Sequence, residues 1–165
     1  MLSFVSSLSD DVAAAPTGES AAVSTVTGDV VFFDGVCNLC NGVVQFIIDR
    51  DKGGSIRFAA LQSDVASKLL LPLGVTLRPD EPDSIVLLTH GKDATPVAYE
   101  RSTAVLLIAR QLSFPWPLLF YTGIVWPRFL RDVFYKFVAT HRYKWFGKTE
   151  TCRVPTPELR ARFLA

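Results

Sequence analysis

Residues 29–51 change their hydrophobic period partway along, and few folds accommodate such a change. Val30 to Phe33 is a short apolar run of β-branched and aromatic residues, the mark of a buried strand. Asp34 and Gly35 then punctuate it. From Leu39 onward the apolar residues recur at helical spacing, as in Leu39/Val43, Cys40/Val44/Ile48 and Val43/Ile47. The pattern predicts a strand, a turn and a helix, with Cys37 and Cys40 where the turn becomes the helix.

That placement has chemical consequences. The first amides of a helix lack intrahelical partners and carry the positive end of its dipole, so they favour an anion. A thiolate there is stabilised and its pKa falls. Cys37, at the mouth of the turn, is expected to be the exposed, nucleophilic sulfur. Cys40 lies almost one helical turn on, within reach of Cys37, and is expected to resolve a mixed disulfide formed there. Cys-X-X-Cys beside a βαβ pattern is a redox signal. Asp34 reads equally as a cap of the turn, or as a proton acceptor for Cys40 and tuner of the thiol pKa.

The chain beyond this stretch predicts further strands over 56–61, 84–89 and 97–100. Helices are predicted from Ser63 or Asp64 to about Leu71 and from Ser102 through Gln111. The order β-α-β-α-β-β-α is that of an α/β, thioredoxin-like domain over residues 29–111. The 165 residues are 49% apolar, enough for one sizeable core. A net charge of +1 gives no basis for a nucleic-acid partner. Three cysteines are too few for a secreted disulfide framework, so a reducing compartment is expected. Residues 1–28 are rich in Ser, Ala, Thr and Gly without hydrophobic period and read as a disordered tail. They carry acids and no Lys or Arg, unlike a transit peptide. A cytoplasmic location is favoured on that composition, with an organellar one if the N-terminus is a trimmed precursor.

Residues 112–165 form an apolar, helical C-terminal extension in this reading. Leu112 to Leu130 is strongly apolar, but Pro115, Pro117 and Pro127 leave no proline-free stretch of the roughly 20 residues a spanning helix needs. An apolar loop and short helix packed on the sheet is the favoured reading, with a membrane-surface patch as the sharper one. After Pro127, the residues Phe129, Leu130, Val133, Phe134 and Phe137 mark an amphipathic helix whose apolar face is expected to pack on the core. Thr156-Pro-Glu158 reads as the start of a last short helix.

Asp34-Gly-Val-Cys37-Asn-Leu-Cys40 resembles the D-x-x-C-x-x-C signature of the DCC family of thiol-disulfide oxidoreductases. The resemblance continues through Phe58-Ala-Ala-Leu-Gln62, Asp83-Ser-Ile-Val86, Glu100-Arg-Ser102, Arg142-Tyr-Lys-Trp-Phe-Gly-Lys148, Cys152 and Pro155. It implies a thioredoxin-like fold and a protein-disulfide reductase activity carried by Cys37 and Cys40, with Asp34 beside them and no cofactor. Its partners would be a protein or small-molecule disulfide and a thiol reductant. Asn38 and Leu39, Asp83 and Ser84, and Arg101 and Ser102 are the implied substrate-side positions. Thioredoxins proper carry a cis-proline before the third strand; here that position falls on Asp83 or Ser84, with Pro82 slightly early. Two other classes of function remain open on the residues. One is a non-catalytic adaptor holding a partner through the aromatic C-terminal third. The other is a zinc module in which Cys152 and His141 or His90 complete a site begun by the cysteine pair. Cys152 reads more simply as a buried small hydrophobe than as a third redox thiol.

Overall fold

A computed structural model describes residues 28–77, 85–91, 95–148 and 160–164. The tail through residue 27, Asp83, Ser84, Cys152 and the helix start at Thr156 to Glu158 lie outside the described residues. Strand β1 (Asp29–Phe33) is followed by α1 (Asn38–Arg50), β2 (Ile56–Ala60), α2 (Asp64–Leu70), β3 (Ile85–His90) and β4 (Pro96–Glu100). Helices α3 (Arg101–Gln111), α4 (Pro117–Ile124) and α5 (Arg128–Phe146) come next. The sheet order is β2-β1-β3-β4, with β1 parallel to β2 and antiparallel to β3, and β3 antiparallel to β4. This mixed sheet between helices is consistent with a thioredoxin-like α/β fold.

The central position of β1 follows from its composition. A strand flanked on both edges and covered on both faces must be apolar throughout, and Val30 to Phe33 are all buried. Val31 and Phe33 face a core shared with Val44 and Ile47 of α1 and Ala104 and Ile108 of α3. Val30 and Phe32 face the opposite core, which α2 closes with Ala66, Leu69 and Leu70. Ser63 caps α2, its hydroxyl accepting from the Ala66 amide at 3.2 Å. Residues 160–164 run beside β2: Phe58 N–H donates to Arg162 O, and Leu164 N–H to Phe58 O, both at 2.8 Å. Arg162 also pairs with the buried carboxylate of Asp51.

The register places the end of β1, the start of β3 and the end of β4 at one edge of the sheet, since Phe33 pairs with Ile85 and Val86 with Glu100. The turn bearing Cys37 therefore shares that edge with Arg101 and Ser102. Ser102 is not the cap of α3; that position belongs to Glu100, and Ser102 is buried inside the first turn. Arg101 begins the helix at φ 57°, a left-handed conformation unusual for a residue with a side chain.

The C-terminal helices depart from the sequence-based expectation. Helix α4 packs on α3 rather than on the sheet, and a Cβ on Gly123 would stand 2.6 Å from Leu106 Cδ2. Helix α5 is turned so that its apolar stripe faces away from the protein. Phe129 is 72% exposed and Phe134 70%, whereas Ala139 and Arg142 are buried. The expectation that Phe129, Leu130, Val133, Phe134 and Phe137 pack on the core is thus corrected. The reason is polar. Asp132 accepts from the Ser102 hydroxyl and Arg142 pairs with Asp34, and these residues lie on one face of a 3.6-residue helix with Ala139. Anchoring that face inward leaves the phenylalanines outside.

With its ring mostly in solvent, Phe134→Ala is expected to change unfolding free energy by less than about 0.5 kcal/mol. Denaturant melts check this. A loss of about 3–5 kcal/mol, as for a buried phenylalanine, would show that the helix face is covered.

Candidate active site

Local sequence builds the site first. Asp34 follows β1 and makes an Asx-type turn, its Oδ1 accepting from Val36 N–H at 3.1 Å. The turn delivers Cys37 to the N-cap of α1, with extended dihedrals, where its sulfur accepts from the Cys40 amide at 3.4 Å. Cys40 follows almost one helical turn on, with its amide bound to the Cys37 sulfur and its thiol interacting with the Cys37 side chain. Both cysteines are free thiols.

Cys37 is fully buried, which corrects the expectation of an exposed sulfur. The C-terminal end of α5 lies against it. Lys148 forms an isolated backbone bridge with Cys37, and Asn38 Nδ2 donates to the Phe146 carbonyl at 2.9 Å. Gly147 makes the bend between them at φ 76°, a conformation that favours glycine. Leu39 is half-buried against the core shared by α1 and α3.

Asp34, 4% exposed, is surrounded by donors. Gln62 Nε2 donates to Oδ1 at 2.8 Å, and Arg142 Nη2 to Oδ2 at 2.8 Å. The Tyr143 hydroxyl also donates to Oδ2 and accepts from Arg142 at 2.8 Å. Gln62 closes the turn from its other side, its Oε1 accepting from Gly35 N–H at 3.2 Å. A buried carboxylate requires such neutralisation, because burial of an unpaired charge is far costlier than its pairing.

The electrostatics separate the groups. Burial pushes the Cys40 thiol well above its ordinary value, and its hydrogen bond to Cys37 adds to the rise. Arg142 pulls it back and Asp34 opposes that pull. Tyr143 is raised by burial and by its bond to Asp34. For Arg142, burial works against the charge, but its contacts with Tyr143, Cys40 and Asp34 outweigh burial and hold it cationic.

Arg142, Tyr143, Gln62 and Lys148 were absent from the sequence-derived set of site residues. Their signal lay within the segments that carry the family resemblance, and in the need of an aspartate behind a buried strand for a counter-ion. Arg101 and Ser102 sit at the same sheet edge, Ser102 bound to Asp132 of α5. His141 stacks on Trp145, its Nδ1 bonded to the Phe137 carbonyl, while His90 ends β3. Among the described residues no group of three His, Cys, Asp or Glu could hold a metal ion.

Two outcomes follow from the buried network. Arg142→Leu strands Asp34 without its cation and should cost about 3–5 kcal/mol, most of it recovered in the Asp34→Asn/Arg142→Leu pair. A mild loss in the single variant would contradict a buried ion pair. The second outcome concerns pH. The folded protein holds the Cys40 proton to higher pH than the unfolded chain, so this stabilisation is complete below about pH 8.5 and lost as pH rises further. Tyr143 acts in the same direction above about pH 10. Denaturation of the reduced protein should show falling stability across this range, with a shallower fall in Cys40→Ala and in Tyr143→Phe. A slope unchanged by both variants would contradict the assignment.

The sequence matches the family described as DCC1-like thiol-disulfide oxidoreductase over residues 31–148. It is 46% identical over 135 residues to "Uncharacterized protein YuxK" of Bacillus subtilis, covering 82% of this chain and 93% of that protein. It is 42% identical over 125 residues to "DCC family protein At1g52590, chloroplastic" of Arabidopsis thaliana, covering 76% of this chain and 69% of that protein. No solved structure matches the chain. The segment matched to the family runs from β1 to the bridge at Lys148 and so spans the cysteine turn, Gln62 and the Arg142–Tyr143 pair that close around Asp34: the chain belongs to the DCC family of thiol-disulfide oxidoreductases.

Proposed function

We propose that Cys37 and Cys40 form a dithiol that reduces disulfides by exchange. The observation that carries this reading is the contact between two free thiols at the start of α1, with a helix amide directed at the first sulfur. Cys37, as thiolate, attacks one sulfur of a substrate disulfide. A Cys37–substrate disulfide forms and the first substrate thiolate leaves. Cys40 then loses its proton and attacks Cys37 Sγ. The Cys37–Cys40 disulfide forms, and the second substrate thiolate departs and takes up a proton. Two electrons pass from the pair to the substrate, and an external thiol reductant returns them.

In this reading Asp34 is a positioning residue. Four donors already occupy its oxygens, which suits it to hold Arg142 near Cys40 rather than to accept a proton. Arg142 favours the Cys40 thiolate that the second step requires. Substrate reaches the buried Cys37 when the segment 146–148, which lies against its backbone, moves aside. Asn38 ties that segment down, and Arg101 and Ser102 flank it at the same sheet edge. The substrate is a protein or small-molecule disulfide, and a reducing compartment suits a pair that works as a reductase.

Incubation of Cys40→Ser with a mixed-disulfide probe should accumulate an adduct on Cys37, seen by mass spectrometry, while Cys37→Ser stays unmodified. Insulin reduction with a thiol donor should require both cysteines and show a measurable couple. Adducts mainly on Cys40, or a protein without activity or couple, would overturn the exchange reading and leave a non-catalytic adaptor.

A further inference from the structure

The largest feature that the thiol chemistry leaves unused is the outer surface of α4, α5 and the turn between them. Val125 and Trp126 of that turn are exposed, as are Tyr121, Phe129, Phe134 and Phe137. Monomeric soluble proteins rarely leave so many contiguous large apolar side chains in water. The phenylalanines among them belong to α5, which is held from its inner side by polar anchors, so their exposure is a consequence of how that helix is fixed.

Charge around this surface has one sign. From Arg101 through Arg131 the chain contains no acidic residue. Between 114 and 146 the lone carboxylate is Asp132, and it is engaged inward by Ser102 and laterally by Arg128 at 3.6 Å. Arg128, Lys136 and Lys144 are exposed along the same helix as the phenylalanines. Trp126, Tyr121 and Trp145 add rings with a polar atom, the type enriched at the boundary between water and lipid. Among the described residues no helix is long and apolar enough to cross a membrane, so the surface suits a helix lying in the interface.

We propose that the outward apolar face of α4 and α5, with its cationic rim, docks on an anionic lipid bilayer. Rings enter the headgroup–acyl boundary while Lys136 and Lys144 meet lipid phosphates. A second copy of the chain fits the face less well, because self-pairing brings together two surfaces whose rims carry charge of the same sign. Docking places the sheet edge that holds Cys37 beside the membrane surface, since α5 is bound to that edge through Asp34, Asn38 and Ser102. The proposal does not depend on exchange activity and fails or stands separately from it.

Flotation of the full chain with phosphatidylcholine vesicles, with and without phosphatidylglycerol, tests it. The expected result is recruitment to the anionic vesicles, weakened by salt, with a blue shift of tryptophan emission. Phe129→Ser/Phe134→Ser and Lys136→Glu/Lys144→Glu should each lower the partition coefficient by about ten-fold or more, with thiol labelling as in the parent. Absence of recruitment, recruitment indifferent to vesicle charge, or recruitment that neither pair of substitutions reduces would overturn the proposal. A dimer in sedimentation that Phe129→Ser/Phe134→Ser converts to monomer would assign the face to a second copy and overturn it too.

Discussion

A carboxylate taken out of water must be given a cation and hydrogen-bond donors, and Asp34 receives both from α5. Its partners Arg142 and Tyr143 stand more than a hundred residues away in the chain. Such a pair is weak evidence of net stability, since desolvation offsets much of the attraction, but it is strongly directional. It determines where α5 lies and which side of the helix turns inward. The turn beside Asp34 determines where the cysteines lie. One buried interaction thus connects the helical extension with the cysteine pair, and the second contact, Ser102 with Asp132, extends the connection along the helix.

The same constraint explains two features that look opposed. Cys37 is buried although the proposed exchange calls for access, and large rings are exposed although their apolar character favours burial. Both arise from the seating of α5. Its C-terminal end, continued by residues 147–148, runs against the N-cap of α1, where Cys37 is buried. Its inner face is spent on ionic and hydrogen-bonded anchors, so its apolar stripe has no protein to meet. Access to the thiols and occupation of the outer face are therefore properties of one helix.

Around Cys40 the electrostatics hold the thiol protonated rather than activate it. Burial keeps the thiol protonated, Arg142 favours its ionised form, and Asp34 holds Arg142 in place while opposing it. Such an arrangement suits a sulfur that ionises when a mixed disulfide forms beside it and not before. The helix start contributes an amide directed at Cys37. The two cysteines of one short motif thus occupy different environments, one at an N-cap and one within the helix.

What was legible in the sequence was local. The switch from an apolar run at Val30–Phe33 to helical spacing after Leu39 located β1, α1 and the cysteines between them. A strand's period and a helix's period are written in neighbouring residues. The order of elements, and with it the α/β fold, followed from the same periods, and the family from short motifs spread along the chain. The tertiary structure decided what depends on distant residues. No local pattern states that Arg142 will meet Asp34, that Gln62 will brace the turn, or that Lys148 will bridge to the backbone of Cys37. Nor does an amphipathic stripe state which way it points. Hydrophobic periodicity marks two faces of α5, and burial of an apolar face is the usual outcome. Here the cost of leaving Asp34 without a cation set the helix the other way round, because an unpaired buried charge outweighs the exposure of a few rings.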